Sequence, residues 1–269
     1  MYKISIWGTG NVAYRMAIAL KASGHSIPYI CGRNKESGEK LVHIINKNED
    51  NSHNNFQKSY YTEDYSLLQN SDVVILAVSD DSIRSLAEQF SSLKFDDLRG
   101  PLLLHTSGAS PMSLLDCYPF YGVLYPLMTL SKVKPVDFRL IPFMVESSDP
   151  ISEKIIADIV YSLGAEHRVA SSDERLKIHL AAVYVSNFIN YLIGLAFDLS
   201  KPNQVLLMPL AIETVRKAFL YEHPSLVQTG PAIRKDMETL KKHLELLDGL
   251  PEHKEIYEVI SRLISEQNK

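Results

Sequence analysis

The chain has little of what a secreted, membrane-spanning or nucleic-acid-binding protein needs. Its 269 residues include two cysteines, Cys31 and Cys117, too few for a disulfide framework and without metal-ligand spacing. No unbroken apolar run approaches the ~18 residues of a membrane-spanning helix. Lys and Arg number 28 against 32 Asp and Glu, a formal charge of −4. That balance gives no basic field for nucleic acid or an anionic membrane. No basic-then-apolar leader precedes the first strand. These absences point to a cytoplasmic globular protein with reduced thiols, long enough for one large or two ordinary domains.

The chain opens with a short apolar run, Ile4 to Trp7, followed at once by Gly8-Thr9-Gly10-Asn11-Val12-Ala13. The periodic segment Val12 to Leu20 reads as a helix closed by Ser23-Gly24. In this strand–turn–helix context, G-x-G-x-x-A is a dinucleotide fingerprint. Gly8 makes the tight turn, Gly10 lets the backbone approach a pyrophosphate, and Ala13 permits close helix–strand packing. The phosphates would rest on amides at the helix N-terminus.

A second absence concerns which dinucleotide is bound. NAD binders carry an acid about 20 residues on, at the tip of the second strand, for the ribose hydroxyls. Here that tip reads Ile30-Cys31-Gly32-Arg33-Asn34-Lys35. A guanidinium at Arg33, with Asn34 and Lys35 beside it, suits a 2′-phosphate. The expected cofactor is NADP(H), held by Gly8, Thr9, Gly10, Asn11, Val12, Arg33, Asn34 and Lys35, and by Val78, Ser79 and Asp80 after a later strand.

The first half alternates strands and helices. Strands are expected at Ser26–Cys31, Tyr60–Thr62, Val73–Val78, Leu102–His105, Gly122–Tyr125 and Phe143–Glu146, with a solvated loop over 47–58. Near residue 170 the pattern changes. Ser171 and Glu174 form a capping box, and one unbroken helix is expected from Asp173 to about Asp198. Further helices follow at Val205–Tyr221, Lys235–Leu247 and Glu255–Glu266. The fold class is α/β: a Rossmann-type doubly wound, mostly parallel sheet over 1–168, then an all-α domain over 169–269.

Polar groups at the carboxyl ends of the strands are the candidate substrate contacts. His105, Ser107 and Gly108 follow one strand and Tyr125 ends the next. On the long helix, His179, Ser186, Asn187 and Asn190 share one side at 100° per residue. Polar groups on so apolar a helix are costly unless something satisfies them. Thr229 is read as capping a helix with Pro231 in its first turn, which leaves Gln228, Arg234 and Asp236 as possible substrate or interface contacts.

Together, Gly8-x-Gly10-x-x-Ala13, Val74-Ile-Leu-Ala-Val-Ser-Asp-Asp81, His105-Thr-Ser-Gly-Ala109, His179-Leu-Ala-Ala-Val-Tyr-Val-Ser-Asn187 and Gln228-Thr-Gly-Pro-Ala232 resemble the Rossmann-like NADP oxidoreductases with a helical C-terminal domain of unknown function. The wider group is similar to pyrroline-5-carboxylate reductase, deazaflavin-dependent NADP reductases and β-hydroxyacid dehydrogenases. The resemblance implies NADP(H) on the Rossmann domain, substrate between the domains and a homodimer formed through the helices. It departs in two places. No lysine lies one turn before Asn187, where Val183 stands, so the lysine mechanism of β-hydroxyacid dehydrogenases does not carry over. Tyr125 stands where the resemblance leads one to expect a histidine before proline. The expected activity is hydride transfer to or from a C=O or C=N bond of a small anionic metabolite. His179 and Tyr125 are the candidate proton donors, and Asn187 is grouped with them as catalytic. Ser107, Ser186 and Asn190 would orient the substrate. The competing expectation is a non-catalytic NADP(H)-binding sensor.

Overall fold

A computed structural model describes residues 1–47, 58–95, 100–221 and 223–266. Most of the loop expected over 47–58 therefore lies outside the described residues. Two compact units follow one another, Met1–Ser186 and Asn187–Lys269. The division falls inside the long helix.

In the first unit the apolar run Ile4–Trp7 is strand β1, with all four residues buried. It belongs to an eight-stranded sheet of order β3-β2-β1-β4-β5-β6-β7-β8. The other strands are β2 (Tyr29–Cys31), β3 (Tyr60–Thr62), β4 (Val73–Leu76), β5 (Leu102–His105), β6 (Tyr121–Pro126), β7 (Phe143–Ser147) and β8 (His167–Val169). Pairing is parallel from β3 across to β6, antiparallel between β6 and β7, and parallel again from β7 to β8. From β1 the chain runs outward to β2 and β3, then returns to the other side of β1 as β4. The carboxyl ends of β1 and β4 thus form a topological switch point, where an open α/β sheet binds its ligand.

The strands read as unbroken apolar runs because both faces of the sheet are covered. Side chains alternate along β4: Val73 and Ile75 join one core with Ile4, Met16 and Leu20, while Val74 and Leu76 join another with Phe90 and Tyr118. Helices α1 (Asn11–Ala22), α2 (Lys35–Lys47), α3 (Ile83–Ser91) and α4 (Pro150–Ser162) supply the cover. Each fully buried Leu or Ile stabilises the fold by about 1.5–3 kcal/mol.

The capping box forms as expected, with Ser171 and Glu174 bonding reciprocally at the start of α5 (Ser172–Val183). The expected long helix runs over Ser172–Ser200, but not at a single pitch. Tyr184–Phe188 is a π turn, and a regular helix resumes only at α6 (Ile189–Ser200). β-Branched Val183 and Val185 crowd the helix here. Ser186 also donates its hydroxyl to the Ala182 carbonyl at 2.6 Å, competing with the backbone ladder. The wide turn breaks the 100° phase, so an angular stripe computed from His179 does not extend through Asn187 and Asn190.

Counting unbroken runs also understates this segment. Over Ser172–Ser200 the most apolar 18-residue window has a mean hydropathy of 1.6, enough by length and composition to cross a membrane. Interspersed Ser, Asn and Tyr keep each run short while leaving the average high.

The second unit holds α6 and then α7 (Met208–Leu220), α8 (Met237–Leu246) and α9 (Pro251–Glu266). Among its described residues only Ala232 and Leu247 are buried. The start of α8 corrects two expectations. Lys235 has φ 57°, a left-handed conformation that no helix interior adopts. The helix starts instead at Met237, where the Asp236 carboxylate accepts from the Thr239 amide and hydroxyl. Asp236 is therefore a cap, and Thr229 precedes a turn, not a helix.

Candidate functional site

A cavity of about 870 Å³ opens at the switch point. Its walls include Gly8, Thr9, Gly10, Asn11, Val12, Arg33, Asn34, Val78 and Ser79, nine of the residues expected from the sequence. Lys35 and Asp80 lie outside its walls; Lys35 pairs with Glu39 at 3.9 Å.

The two fingerprint glycines act for different physical reasons. At Gly8, φ is +144° and a Cβ would lie 2.1 Å from the Ala77 carbonyl oxygen, so only glycine lets β1 and β4 close together. At Gly10 a Cβ would meet no protein atom within 4 Å. The protein's own packing does not require that glycine, but a pyrophosphate in the open space would. Helix α1 has no side-chain cap and no acid in its first turn. Its leading amides and dipole thus face the cavity without an internal anion. These features fit a dinucleotide phosphate. At the other end, Asn34 accepts from the Ser37 amide at 2.9 Å and caps α2, with Arg33 beside it on the wall.

The loop after β5 lies between this cavity and a second cluster. Thr106 lines the cavity. Ser107 turns the chain by accepting at Oγ from the amides of Ala109 and Ser110, at 3.1 and 2.9 Å. Gly108 packs so closely that a Cβ would lie 2.6 Å from both His179 Nδ1 and Tyr125 Cζ. Those two side chains meet, with Tyr125 Oη 3.1 Å from His179 Nδ1 and the rings edge to face at 70°. Three residues far apart in sequence, each picked out for its chemistry, are thus in contact. Burial raises the Tyr125 pKa, so its hydroxyl keeps its proton at neutral pH.

His105 has a different role. It is wholly buried, and its Nδ1 accepts from the Ser107 amide at 3.2 Å. Burial, with the Arg175 charge second, pushes its pKa down to about 3 against a weak opposing bond to the Pro111 backbone. A neutral, enclosed imidazole supports the loop.

Nothing in the sequence pointed to Arg175, which fixes this whole corner. Its side chain is fully buried. Nη1 donates to Glu146 Oε2 at 2.5 Å, and Nη2 donates to the Ser110 carbonyl at 2.7 Å and to Ser172 Oγ at 3.2 Å. Ser172 in turn donates to Glu146 at 2.8 Å and accepts from the Met112 amide at 2.9 Å. Strand β7, the 106–112 loop and the first turn of α5 are thereby tied together, one helical turn before His179.

Of the other expected contacts, one lies in the first unit and four in the second. Ser186 spends its hydroxyl on its own helix. Asn187, Asn190, Gln228 and Arg234 belong to the second unit, where Gln228 bonds to the Thr229 carbonyl.

Comparison with known proteins divides the chain elsewhere, because the second match begins inside the first unit. Residues 3–103 match the family model "NADP oxidoreductase coenzyme F420-dependent", and residues 141–264 match a "Domain of unknown function (DUF2520)". A "putative NADP oxidoreductase" from Bacteroides fragilis is 32% identical, with a TM-score of 0.86 over 99% of this chain and 98% of that one. Two more distant structures share the fold. One is a pyrroline-5-carboxylate reductase from Coxiella burnetii (16% identity, TM-score 0.57, 99% of both chains). The other is a Plasmodium falciparum pyrroline carboxylate reductase with NADP bound (15%, 0.58, 98% of both). No curated protein matches the chain.

Proposed function

The chain belongs to the NADP oxidoreductases that end in a helical domain of unknown function, and within that family we propose that it reduces a C=O or C=N bond of a small anionic metabolite, or oxidises the matching C–OH or C–NH. The observation that carries this reading is the Tyr125–His179 pair, 3.1 Å apart and joined to the cofactor cavity through the Thr106–Gly108 loop. Bound NADPH supplies the hydride. Tyr125 and His179 handle the proton: burial makes the phenol a weaker acid, and the imidazole beside it offsets this by steadying the oxygen as the proton leaves. Arg175 and Glu146 hold the loop and helix so that the pair stays aligned.

The test has two stages. Titration with NADPH and NADH, on wild type and Arg33→Ala, should show NADPH preferred and the preference reduced in the variant. A panel of keto acids and cyclic imines should then reveal turnover that Tyr125→Phe and His179→Ala remove while NADPH still binds. Binding without turnover of any substrate would favour a sensor over an enzyme.

We further propose a homodimer formed through the C-terminal helices and a cytoplasmic location. The dimer reading rests on Val205, Leu206 and Phe219, each at least 74% exposed, since clustered exposed apolar side chains mark association surfaces. Sedimentation should give the mass of two 30.4 kDa chains; a monomer at micromolar concentration would overturn this.

A further inference from the structure

We propose that Glu63, at the end of β3, is a cofactor-specificity residue that opposes Arg33 and limits the preference for NADPH over NADH. The tip of β2 lacks the acid that NAD-binding folds place there. Strand β3 lies parallel beside β2, with Thr62 in register with Cys31. The next residue, Glu63, therefore emerges beside Gly32. It lines the same cavity as Gly32, Arg33 and Asn34. The carboxylate absent from one strand tip is present on its neighbour.

Its position is built, not incidental. The Tyr61 hydroxyl donates to the Gly32 carbonyl at 2.5 Å and reaches Glu63 Oε1 at 3.3 Å. The carboxylate is thereby tied to the β2–α2 turn. Tyr61 is itself seated by Gly38 of α2, where a Cβ would lie 2.2 Å from the ring. Among the described residues no ion pair joins Glu63 to Arg33, so neither charge is spent on the other. The local field is negative enough that Asp64 and Glu63 add to burial in pushing the Cys31 thiol up to about 12.

A carboxylate here would accept hydrogen bonds from the adenosine ribose, including the 2′-hydroxyl that NAD(H) has where NADP(H) has a phosphate. It repels the 2′-phosphate of NADP(H), which Arg33 attracts. Preference is the difference between these two interactions. Both side chains stand in solvent, so each effect is modest and salt-dependent.

The reading needs only the dinucleotide site, not the proton-handling role of Tyr125 and His179. Trp7 is the one tryptophan in the sequence and lies in the cavity wall. Energy transfer from it to the reduced nicotinamide therefore reports binding without any substrate. We expect Glu63→Gln to tighten NADPH about three- to tenfold at low salt, and to leave NADH unchanged or weaker. Glu63→Lys should go further in the same direction, and the gain for NADPH should shrink as salt is raised. Tyr61→Phe, which releases the carboxylate, should shift the ratio in the same sense by less. Thermal melts of the variants confirm folding; Glu63 is exposed, and if one variant fails to fold the other two give the answer. If the NADPH-to-NADH ratio stays within about twofold of wild type in folded Glu63→Gln and Glu63→Lys, the proposal is overturned, although the site stands. If wild type binds neither cofactor, the proposal falls together with the assignment of the site.

Discussion

The cofactor cavity and the Tyr125–His179 corner lie in the same unit but are specified differently. The cavity is made largely of backbone: a glycine that lets two strands close, a glycine that leaves room, and amides at the start of a helix. The corner is made of side chains from β6, α5 and the loop after β5, held by a buried arginine. Backbone sites can be read from local spacing. Side-chain sites need the fold first.

The sharpest way to break the cavity alone is Gly8→Val. The Cβ would collide with the Ala77 carbonyl, and the backbone at φ +144° would be strained for any L side chain. We expect a loss of about 4 kcal/mol or more in urea unfolding, with NADPH-dependent transfer from Trp7 abolished. Gly10→Ala makes the comparison direct. A Cβ there meets no protein atom, so stability should hold while NADPH binding falls. Equal losses of stability in the two variants would mean that Gly10 also serves the fold.

The matching disruption of the corner is Arg175→Met. It leaves Glu146 without its cation and the Ser110 carbonyl without its donor. Removing one partner of a buried pair costs about 3–5 kcal/mol, chiefly through the charge left behind. Adding Glu146→Leu should restore much of that stability, since a buried pair replaced by apolar groups is often neutral. It should not restore the Tyr125–His179 geometry, which can be read from the His179 ring resonances. Restoration of both would reduce Arg175 to a packing role.

A smaller effect, seen as a pH dependence, also belongs to the corner. His105 titrates at about 3 in the folded chain against 6.5 when unfolded. Between those values the unfolded chain binds the extra proton, so stability rises with pH and is lost as pH falls below 6.5. Burial lowers the His25 pKa as well, with the same sign. Between pH 6.5 and 5 the His105 contribution alone amounts to about 2 kcal/mol. His105→Gln should flatten this slope, whereas NADPH binding should respond little to the substitution.

How much of this was legible follows from the same contrast. The fingerprint put Gly8 and Gly10 between a strand and a helix, where the structure has them on the cavity wall, and no acid stands at the β2 tip. Glu63 escaped notice because register between β2 and β3, not sequence distance, brings it to the cavity. Tyr125, Gly108 and His179 were each marked by their chemistry, but nothing in the sequence said that they touch. Arg175 drew no notice in the sequence, because burial is a tertiary fact. The long helix was read at a single pitch, and Val183, Val185 and Ser186 carry the local crowding and side-chain competition that break it.

The gentlest change to the corner is Tyr125→Phe. It removes one hydroxyl from a bond of 3.1 Å and leaves the ring against Gly108. A part-buried hydrogen bond of this kind contributes about 1 kcal/mol, so the melting curve should barely move. Gly108→Ala disturbs the same contact by another route: its Cβ would force His179 and Tyr125 apart while both polar groups remain. If the pair works as a unit, the two variants should lose turnover alike, retain NADPH, and show the same displacement of the His179 resonances. If Gly108→Ala retains turnover while Tyr125→Phe loses it, the hydroxyl acts without the imidazole, and His179 is a neighbour instead of a partner.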